Sequence, residues 1–259
     1  MPGRSLPPAF TRRTLRKDMG PGSPLFEFLD FFSLRDVSFD KWDFNVKALD
    51  TTNQWTVAAG ASSTTWAVRA EAGGWIRGVI GATAATSGLQ ISVPTKYWNG
   101  DNNAGMACLF RASNVTEKRI EIGFADALPS VNTTVVNSLS TPSYNTATDA
   151  ALFVYDHTGT ATTMGLYTAG TGCTAAKHAF TAPAPTAGGV YFVAVQLIGN
   201  RAYLFVKDGA GAVASANSGT TDYIKGGNGV IPVVSLKSAD TNAGNFDIDF
   251  IATWSGRLG

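Results

Sequence analysis

Apolar and polar residues alternate along most of the chain from residue 40 onward. A period of two puts successive side chains on opposite faces of a strand, so each run predicts a strand with one buried face. Glycine, asparagine, aspartate, serine and threonine separate the runs, as expected of turns. The pattern predicts an all-β, antiparallel two-sheet sandwich. The predicted strands are 41–49, 66–70, 75–80, 88–93, 105–111, 119–125, 151–155, 164–168, 191–198, 201–207, 230–236 and 246–254.

One hairpin is specific in the sequence. The alternating runs 191–198 and 201–207 are separated only by the dipeptide Gly199-Asn200. Two-residue hairpin loops need a positive φ, which glycine adopts without steric cost. The sequence therefore predicts a tight hairpin at this dipeptide, and a second turn at residues 208–209.

The first 38 residues show no such alternation. Proline and glycine interrupt this segment, and residues 1–20 carry Arg4, Arg12, Arg13, Arg16 and Lys17 against a single acid. A segment of this composition cannot form a core of its own. We therefore expect a basic N-terminal arm over residues 1–38 and a sandwich domain over residues 39–259.

An aromatic stretch closes the arm. Ser23 and Pro24 resemble the first two positions of a helix, and residues 25–37 predict a short helix that is apolar on most of its circumference. Such a helix is buried on more than one side, either as a lid over the sandwich or as a plug into a partner subunit. The predicted partner contacts of the arm are Phe10, Arg12, Arg13, Arg16, Phe26, Phe28, Phe31 and Phe32.

Composition limits what the chain binds. Charged residues make up 15% of the sequence and the formal net charge is +1, so the chain as a whole does not have the charge of a nucleic-acid binder. In the arm only Phe10 is interleaved with basic residues, which favours contact with a protein, or a solvated tail, over nucleic acid. No apolar run approaches the roughly 20 residues of a membrane span, and no signal peptide is visible. Cys108 and Cys173 lack metal-binding spacing, and their redox state stays open.

The predicted hairpin carries a family resemblance. The sequence YFVAVQLIGNRAYLFVKDG resembles a hairpin of laminin-G-like and concanavalin A-like jelly rolls. The segment RIEIGFADA is similar to a core strand of those domains, and residues 246–254 resemble their closing strand. The resemblance spans residues 40–257 and implies a concanavalin A-like jelly roll.

The alanine-, threonine-, glycine- and asparagine-rich style, together with the basic arm, resembles virion proteins of tailed bacteriophages built on this jelly roll. That resemblance implies a non-enzymatic decoration or cementing subunit, present in many copies or as a homo-oligomer, and fixed by its arm to a capsid or tail lattice. The implied location is the virion, assembled in the host cytoplasm. The alternative is a module of a phage tail or appendage that binds a glycan or host receptor.

No catalytic site is predicted. Glycoside hydrolysis needs two carboxylates that flank one bond. Glu121 and Asp126 are five residues apart, on opposite faces of a regular strand, while Asp247 and Asp249 share a face with no glutamate following in register. The two histidines, His157 and His178, occur in turn-like sequence, away from any nucleophile motif.

One loop is rich in oxygen ligands. Asn99, Asp101 and Asn103 predict either a turn or a calcium site, since calcium takes six to eight oxygens. Apart from calcium, the sequence predicts no cofactor. Trp98 with Asp101 and Asn103 also forms a candidate glycan site, in which the ring stacks on a sugar and the polar groups hold its hydroxyls. Trp55 and Trp75 are further candidates for the stacking ring, and each tryptophan could equally belong to a core or an interface.

Overall fold

The first described strand begins at Val37. Residues 1–36 of the arm predicted over residues 1–38, with most of its predicted helix and all of its predicted partner contacts, lie outside the described residues, so those predictions stay predictions. The last two residues of the predicted arm, 37 and 38, belong to this first strand. No helix occurs in the part of the chain that the structure describes, and hence none there could cross a membrane. This confirms the all-β prediction. The structure, a computed structural model, describes residues 37–43, 49, 51, 54–69, 74–83, 86–93, 98–158, 162–218, 224–239 and 242–256.

The described residues form seventeen strands, numbered here in chain order. They are β1 (Val37–Asp43), β2 (Thr56–Ala59), β3 (Thr64–Val68), β4 (Ile76–Ile80), β5 (Gly88–Ser92), β6 (Gly105–Ala112), β7 (Lys118–Ala125), β8 (Val136–Ser138), β9 (Ser143–Tyr144), β10 (Ala150–Asp156), β11 (Thr163–Ala169), β12 (Ala176–Ala179), β13 (Val190–Ile198), β14 (Arg201–Asp208), β15 (Val213–Asn217), β16 (Ile231–Ser238) and β17 (Gly244–Gly256).

The strands form two large antiparallel sheets, which we call sheet I and sheet II. Sheet I has the order β15-β14-β13-β6-β17-β4-β3, and β1 also pairs with β17. Sheet II has the order β12-β11-β10-β7-β16-β5-β2, and β8 and β9 form a separate two-stranded ribbon. The last strand lies in the middle of sheet I, between β6 and β4. The antiparallel two-sheet sandwich predicted from the sequence is confirmed.

The strands missing from the sequence prediction are β2, β8, β9, β12 and β15. Three of them, β2, β12 and β15, are edge strands of the large sheets. Each of the five has two to five residues. Their side chains are half-buried or exposed, except for one buried residue in β8. An edge strand needs no continuous apolar face, so its alternation signal is short and weak.

The predicted hairpin joins β13 and β14. Ile198 pairs with Arg201, and Gly199 has a φ of 54°. Of the two loop residues, only the first, Gly199, has a positive φ. This is typical of a type II′ turn, which favours glycine at its first loop position. The second predicted turn follows β14, where the carboxylate of Asp208 accepts hydrogen bonds from the backbone N–H groups of Ala210 and Ala212.

A row of aromatic rings fills the space between the sheets. Trp66 contacts Phe246 edge-on at 5.9 Å, and Phe246 stacks on Phe110 at 5.0 Å between ring centroids. Phe110 in turn contacts Tyr191 of sheet I, which lies 5.9 Å from Phe153 of sheet II. Aromatic pairs at these distances add about 0.5–1.5 kcal/mol each beyond the area that they bury. The row therefore ties strands of both sheets into one core.

The outer face of sheet II is covered by residues 126–149, which we call the strap. The strap connects β7 to β10 and includes the β8–β9 ribbon. Val135 and Val136 of the strap pack on Leu152, Val154 and other outward residues in a second buried cluster. A connection of this length is held on the sheet because its own apolar side chains cover the sheet's outer face.

Glu121 of β7 binds the backbone of the strap. Its side chain points to the outer face of sheet II and is 1% exposed. Val135 N–H and Val136 N–H donate to its two carboxylate oxygens at 2.6 and 3.1 Å, and Arg119 lies 3.2 Å away as an ion-pair partner. Arg119 also donates to the carbonyl oxygen of Val136. The carboxylate is thus committed to backbone groups that burial would otherwise leave without acceptors.

We expect Glu121→Gln to lower the free energy of unfolding by about 1–3 kcal/mol, because the amide turns an N–H₂ group toward backbone donors. Denaturant unfolding of the full chain measures the change. Glu117→Gln is the matched control, since Glu117 is only half-buried and should tolerate the same exchange. Equal stability of the two variants would contradict the role given to Glu121.

Candidate functional site

Five connections meet at one end of the sandwich, which we call the loop end. Ala125 pairs with Ala150 and with Ile231 at the last position of β7, so the connections next to these residues share one end. Gly105, the first residue of β6, pairs with Gln196 near the end of β13. The connections at the loop end are residues 99–104, 126–149, 170–175, 199–200 and 224–230.

The 99–104 loop is a compact turn. The side-chain oxygen of Asn99 accepts from the N–H of Asn102 at 2.9 Å, and its carbonyl accepts from Ala104. Asn103 donates its N–H to the carbonyl of Gly100 and has a φ of 50°, a conformation that asparagine tolerates better than most residues. Two of the three predicted ligands therefore have roles in forming the turn.

This turn packs against its neighbours through glycine backbone. Gly199 N–H donates to the carbonyl of Gly100, and a Cβ on Gly100 would lie 1.9 Å from the carbonyl oxygen of Gly199. Asp101 N–H donates to the carbonyl of Gly226, whose own N–H donates to the side chain of Asn200. The close approach requires glycine at position 100 and fixes three connections together.

The carboxylate of Asp101 lies next to the backbone of the buried Gly226 and the exposed Gly227. A Cβ on Gly226 would be 2.4 Å from one carboxylate oxygen, and a Cβ on Gly227 would be 3.2 Å from the other. Asp101, Asn103 and Gly227 are exposed. Among the described residues, no side chain or backbone group donates to this carboxylate. The result is a small exposed polar patch that contains the Asp101 carboxylate and, two residues further along the same turn, the amide side chain of Asn103.

Asp149 fixes the neighbouring connections. This carboxylate is 1% exposed. It accepts from the N–H and hydroxyl of Thr171 at 3.1 and 2.8 Å, from Lys225 N–H at 3.1 Å and from the amide of Asn228 at 2.7 Å. Burial opposes its ionisation, but these hydrogen bonds outweigh burial and hold the pKa of Asp149 below its ordinary value. One buried charge thus joins the 170–175 and 224–230 connections to β10.

Asp126, the first residue after β7, also accepts several hydrogen bonds through its carboxylate. Its carboxylate accepts from the N–H and hydroxyl of Thr148 at 2.9 and 2.7 Å, and from Asp149 N–H at 3.1 Å. These bonds close the base of the strap. Asp126 and Glu121 bind different parts of the strap backbone, so the structure gives them no common target for acid–base chemistry.

The tryptophans proposed for sugar stacking occupy two settings. Trp98 is 8% exposed and Trp55 3% exposed, and both belong to the main core. Trp98 also forms a backbone bridge with Val230 at the loop end. Trp75 is half-buried, and the guanidinium of Arg111 lies 4.5 Å above its ring. Stacking of a sugar on Trp98 would need its ring to leave the core, and this role stays a prediction.

The donor set of the 99–104 loop fits calcium poorly. Asp101 is its only carboxylate, and the side-chain oxygen of Asn99 already accepts a backbone hydrogen bond. The described residues hold no group of three or more histidine, cysteine, aspartate or glutamate side chains that could bind a metal. Calcium prefers six to eight oxygens with several carboxylates.

The second carboxylate pair lies in an ion-pair cluster. Asp247 is cross-strand neighbour to Arg77 and Arg111, which donate to it at 2.5, 2.6 and 2.9 Å. Burial opposes ionisation, but the two arginines outweigh it and lower the pKa of Asp247. Asp249 falls in a β-bulge between Ile248 and Phe250, where regular alternation is broken. The shared face expected for the two aspartates therefore does not follow from a regular strand.

The histidines and cysteines lie on separate elements. His157 follows β10 and His178 lies on edge strand β12, where burial lowers its pKa. Both cysteines are free thiols: Cys108 is buried in the main core, and Cys173 is partly exposed at the loop end. Burial raises the pKa of the Cys108 thiol, as expected for a small core residue without nucleophilic reactivity.

Comparisons with known proteins give a fold and no family. No family model matches the chain, and no match was found among curated proteins. Solved structures of legume lectins match it. Peanut lectin matches with a TM-score of 0.56 and 9% identity, over 87% of this chain and 100% of the lectin chain. Lectin II from Ulex europaeus matches with a TM-score of 0.56 and 10% identity, over 86% and 100% of the two chains.

A third match, a seed lectin from Lotus tetragonolobus, has a TM-score of 0.53 and 9% identity, over 85% of this chain and 100% of that one. These likenesses confirm the concanavalin A-like jelly roll that the sequence resemblance implied. At such low identity they show the fold alone, because one fold supports many unrelated functions.

We expect the free energy of unfolding to fall below about pH 4 partly through Asp149. Its pKa is lower in the folded than in the unfolded chain, so its stabilisation is complete above about pH 4 and is lost as the pH falls through the lowered value. Asp149→Asn should cost about 2 kcal/mol at neutral pH and flatten this part of the curve.

Denaturant unfolding at a series of pH values measures both effects. Asp101→Asn is the control and should keep wild-type stability, because no described group donates to the Asp101 carboxylate. If Asp149→Asn kept both the stability and the acid slope of the wild type, Asp149 would not be the group that fixes these connections.

Proposed function

We propose that the chain is a non-enzymatic, lectin-like module that binds a glycan at the loop end. The observation that supports this most is the Asp101 carboxylate, exposed and held against the backbone of Gly226 and Gly227. Asp101 and Asn103 are the polar residues of the sequence prediction that would contact the sugar.

The chemistry of the patch suits a saccharide. Sugar hydroxyls donate as well as accept, so a carboxylate binds two neighbouring hydroxyls as an acceptor, while an amide side chain donates to others. Hydrogen bonds to a charged acceptor are about twice as strong as neutral ones. The turn around Gly100 holds these groups in place before binding, which reduces the entropy lost on association.

The acidic residues support a binding rather than a catalytic role. Among the described carboxylates, Glu121, Asp126, Asp149 and Asp247 are bonded to backbone groups, amides, hydroxyls or arginines. A glycosidase needs two carboxylates that face one bond across an open site. Asp101 is exposed at the loop end, and none of these four bonded carboxylates forms an open catalytic pair with it.

The test is binding of the full chain to a panel of bacterial surface polysaccharides, measured by array and then by calorimetry. Asp101→Asn should weaken binding roughly tenfold or more, because it removes the charged acceptor. Glu117→Gln is the matched control: it neutralises a half-buried carboxylate on the β6–β7 connection, at the opposite end of the sandwich, and should bind as wild type does.

If the wild type bound none of the polysaccharides, the proposal would be wrong. If Asp101→Asn and Glu117→Gln bound equally well, the glycan site would not include Asp101. Release of reducing sugar from any polysaccharide in the panel would instead indicate an enzyme.

A second candidate is a structural subunit of a phage virion, fixed to a capsid or tail lattice by its arm. The observation that favours it is the concentration of basic residues in the first 20 positions of a chain with net charge +1. Many copies on a lattice would add avidity without requiring strong single contacts. The two candidates are compatible, since the loop end and the arm are different parts of the chain.

Co-sedimentation with particles that lack the protein tests this candidate, at low and high salt. Phe28→Ser with Phe32→Ser should abolish attachment, because burying one phenylalanine is worth about 1.5–3 kcal/mol. Arg12→Ser with Arg13→Ser should weaken attachment mildly, since exposed ion pairs contribute about 0–1 kcal/mol each. Complete loss in the arginine variant alone would indicate electrostatic attachment, and full attachment of both variants would exclude the arm as the anchor.

A further inference from the structure

The outer face of sheet I carries an apolar trough. Ala194, Ala107 and Ala252 are cross-strand neighbours on β13, β6 and β17, and all three are fully buried. They alternate along their strands with residues of the main core, so they point away from sheet II. A row of three alanines makes a depression across the strands, which we call the trough.

Aromatic residues wall the trough. Phe192 and Phe250 stand on one side, Trp254 stands on the other, and Phe205 closes the β14 end beside Ala194. Phe192 lies 6.0 Å from Phe205 and 6.4 Å from Phe250 between ring centroids. All four are buried, with 0–6% of their surface exposed. Each also takes part in a further interaction besides these ring contacts.

Such burial on an outward face requires a covering layer. The main contacts of sheet I with strands outside it are with sheet II, which lies against the inner face. On sheet II the strap provides the corresponding outer layer. Within the described residues, no strand plays that part for sheet I.

The first described strand, β1, lies at the edge of the trough. β1 begins with Val37 opposite Gly256, and its third residue, Phe39, is opposite Trp254. Thirty-six residues precede β1, and residues 25–34 contain the apolar stretch LFEFLDFFSL. From β17 to β14 the trough spans about 14 Å, at roughly 4.8 Å per strand. About five extended residues cover that distance, so residues 25–34 are within reach.

We propose that residues 25–34 pack into the trough of their own chain, with Phe28 and Phe32 among the aromatic walls. The five residues after β1 are a poorer occupant, because they must connect Asp43 to Leu49, which packs on the main core. An arm seated in this way presents its basic end, residues 4–17, to a partner. The phenylalanines would then control attachment to a lattice by positioning the arm.

The test places a photo-reactive 4-benzoylphenylalanine at Phe205 in the full chain. Irradiation should form a cross-link within one chain, and mass spectrometry should map it to residues 25–34. The same probe at Ala179, exposed on edge strand β12 of sheet II, is the control and should capture nothing from this segment. Cross-links between two chains, or to any other segment, would overturn the proposal, the former in favour of a dimer through sheet I.

A second measurement is independent of cross-linking. Phe28→Ser with Phe32→Ser should lower the melting temperature by about 5–10 °C and make the protein bind an apolar dye, because the trough loses its cover. Arg12→Ser with Arg13→Ser is the matched control and should melt as wild type does. Unchanged melting of the phenylalanine variant, with no dye binding, would contradict an intramolecular seat.

Discussion

Packing of the inner faces through one row of aromatic rings is the interaction on which the rest of the structure depends. Phe110 lies at its centre, between Phe246 and Tyr191. Because side chains alternate with a period of two, a slip of one residue in any strand would turn its core face outward. The row therefore fixes register as well as burial. Register in turn decides which connections meet at the loop end, so the candidate site follows from the core.

Buried carboxylates provide the next level of order. Glu121 holds the strap, Asp149 joins two connections, and Asp247 pairs with arginines of two neighbouring strands. A buried charge is tolerated only with several donors, and each of these has them. The same bonds remove these groups from acid–base chemistry. What the loop end offers a ligand is therefore the Asp101 patch, whose backbone is fixed by glycine contacts and whose carboxylate is exposed.

The two outer faces show how a sandwich uses long connections. The outer face of sheet II is covered by the strap. The backbone N–H groups of Val135 and Val136 in the strap donate to the buried carboxylate of Glu121. The outer face of sheet I has aromatic walls around a row of alanines, and the first strand starts at its edge. Both outer faces carry buried apolar side chains, and a sheet with buried side chains on each side needs a layer on each.

The sequence by itself determined the strands with strong alternation, the Gly199-Asn200 hairpin and the turn character of residues 99–104, because these depend on local periodicity and local backbone conformation. It did not show the edge strands β2, β12 and β15, which have no buried side chain, or the bulge at Asp249. Nor did it show the bonds of Asp149, whose partners Thr171 and Asn228 are 22 and 79 residues away along the chain. Only tertiary structure decided these features and the burial of Trp98, because a side chain's partners depend on which strands the fold brings together.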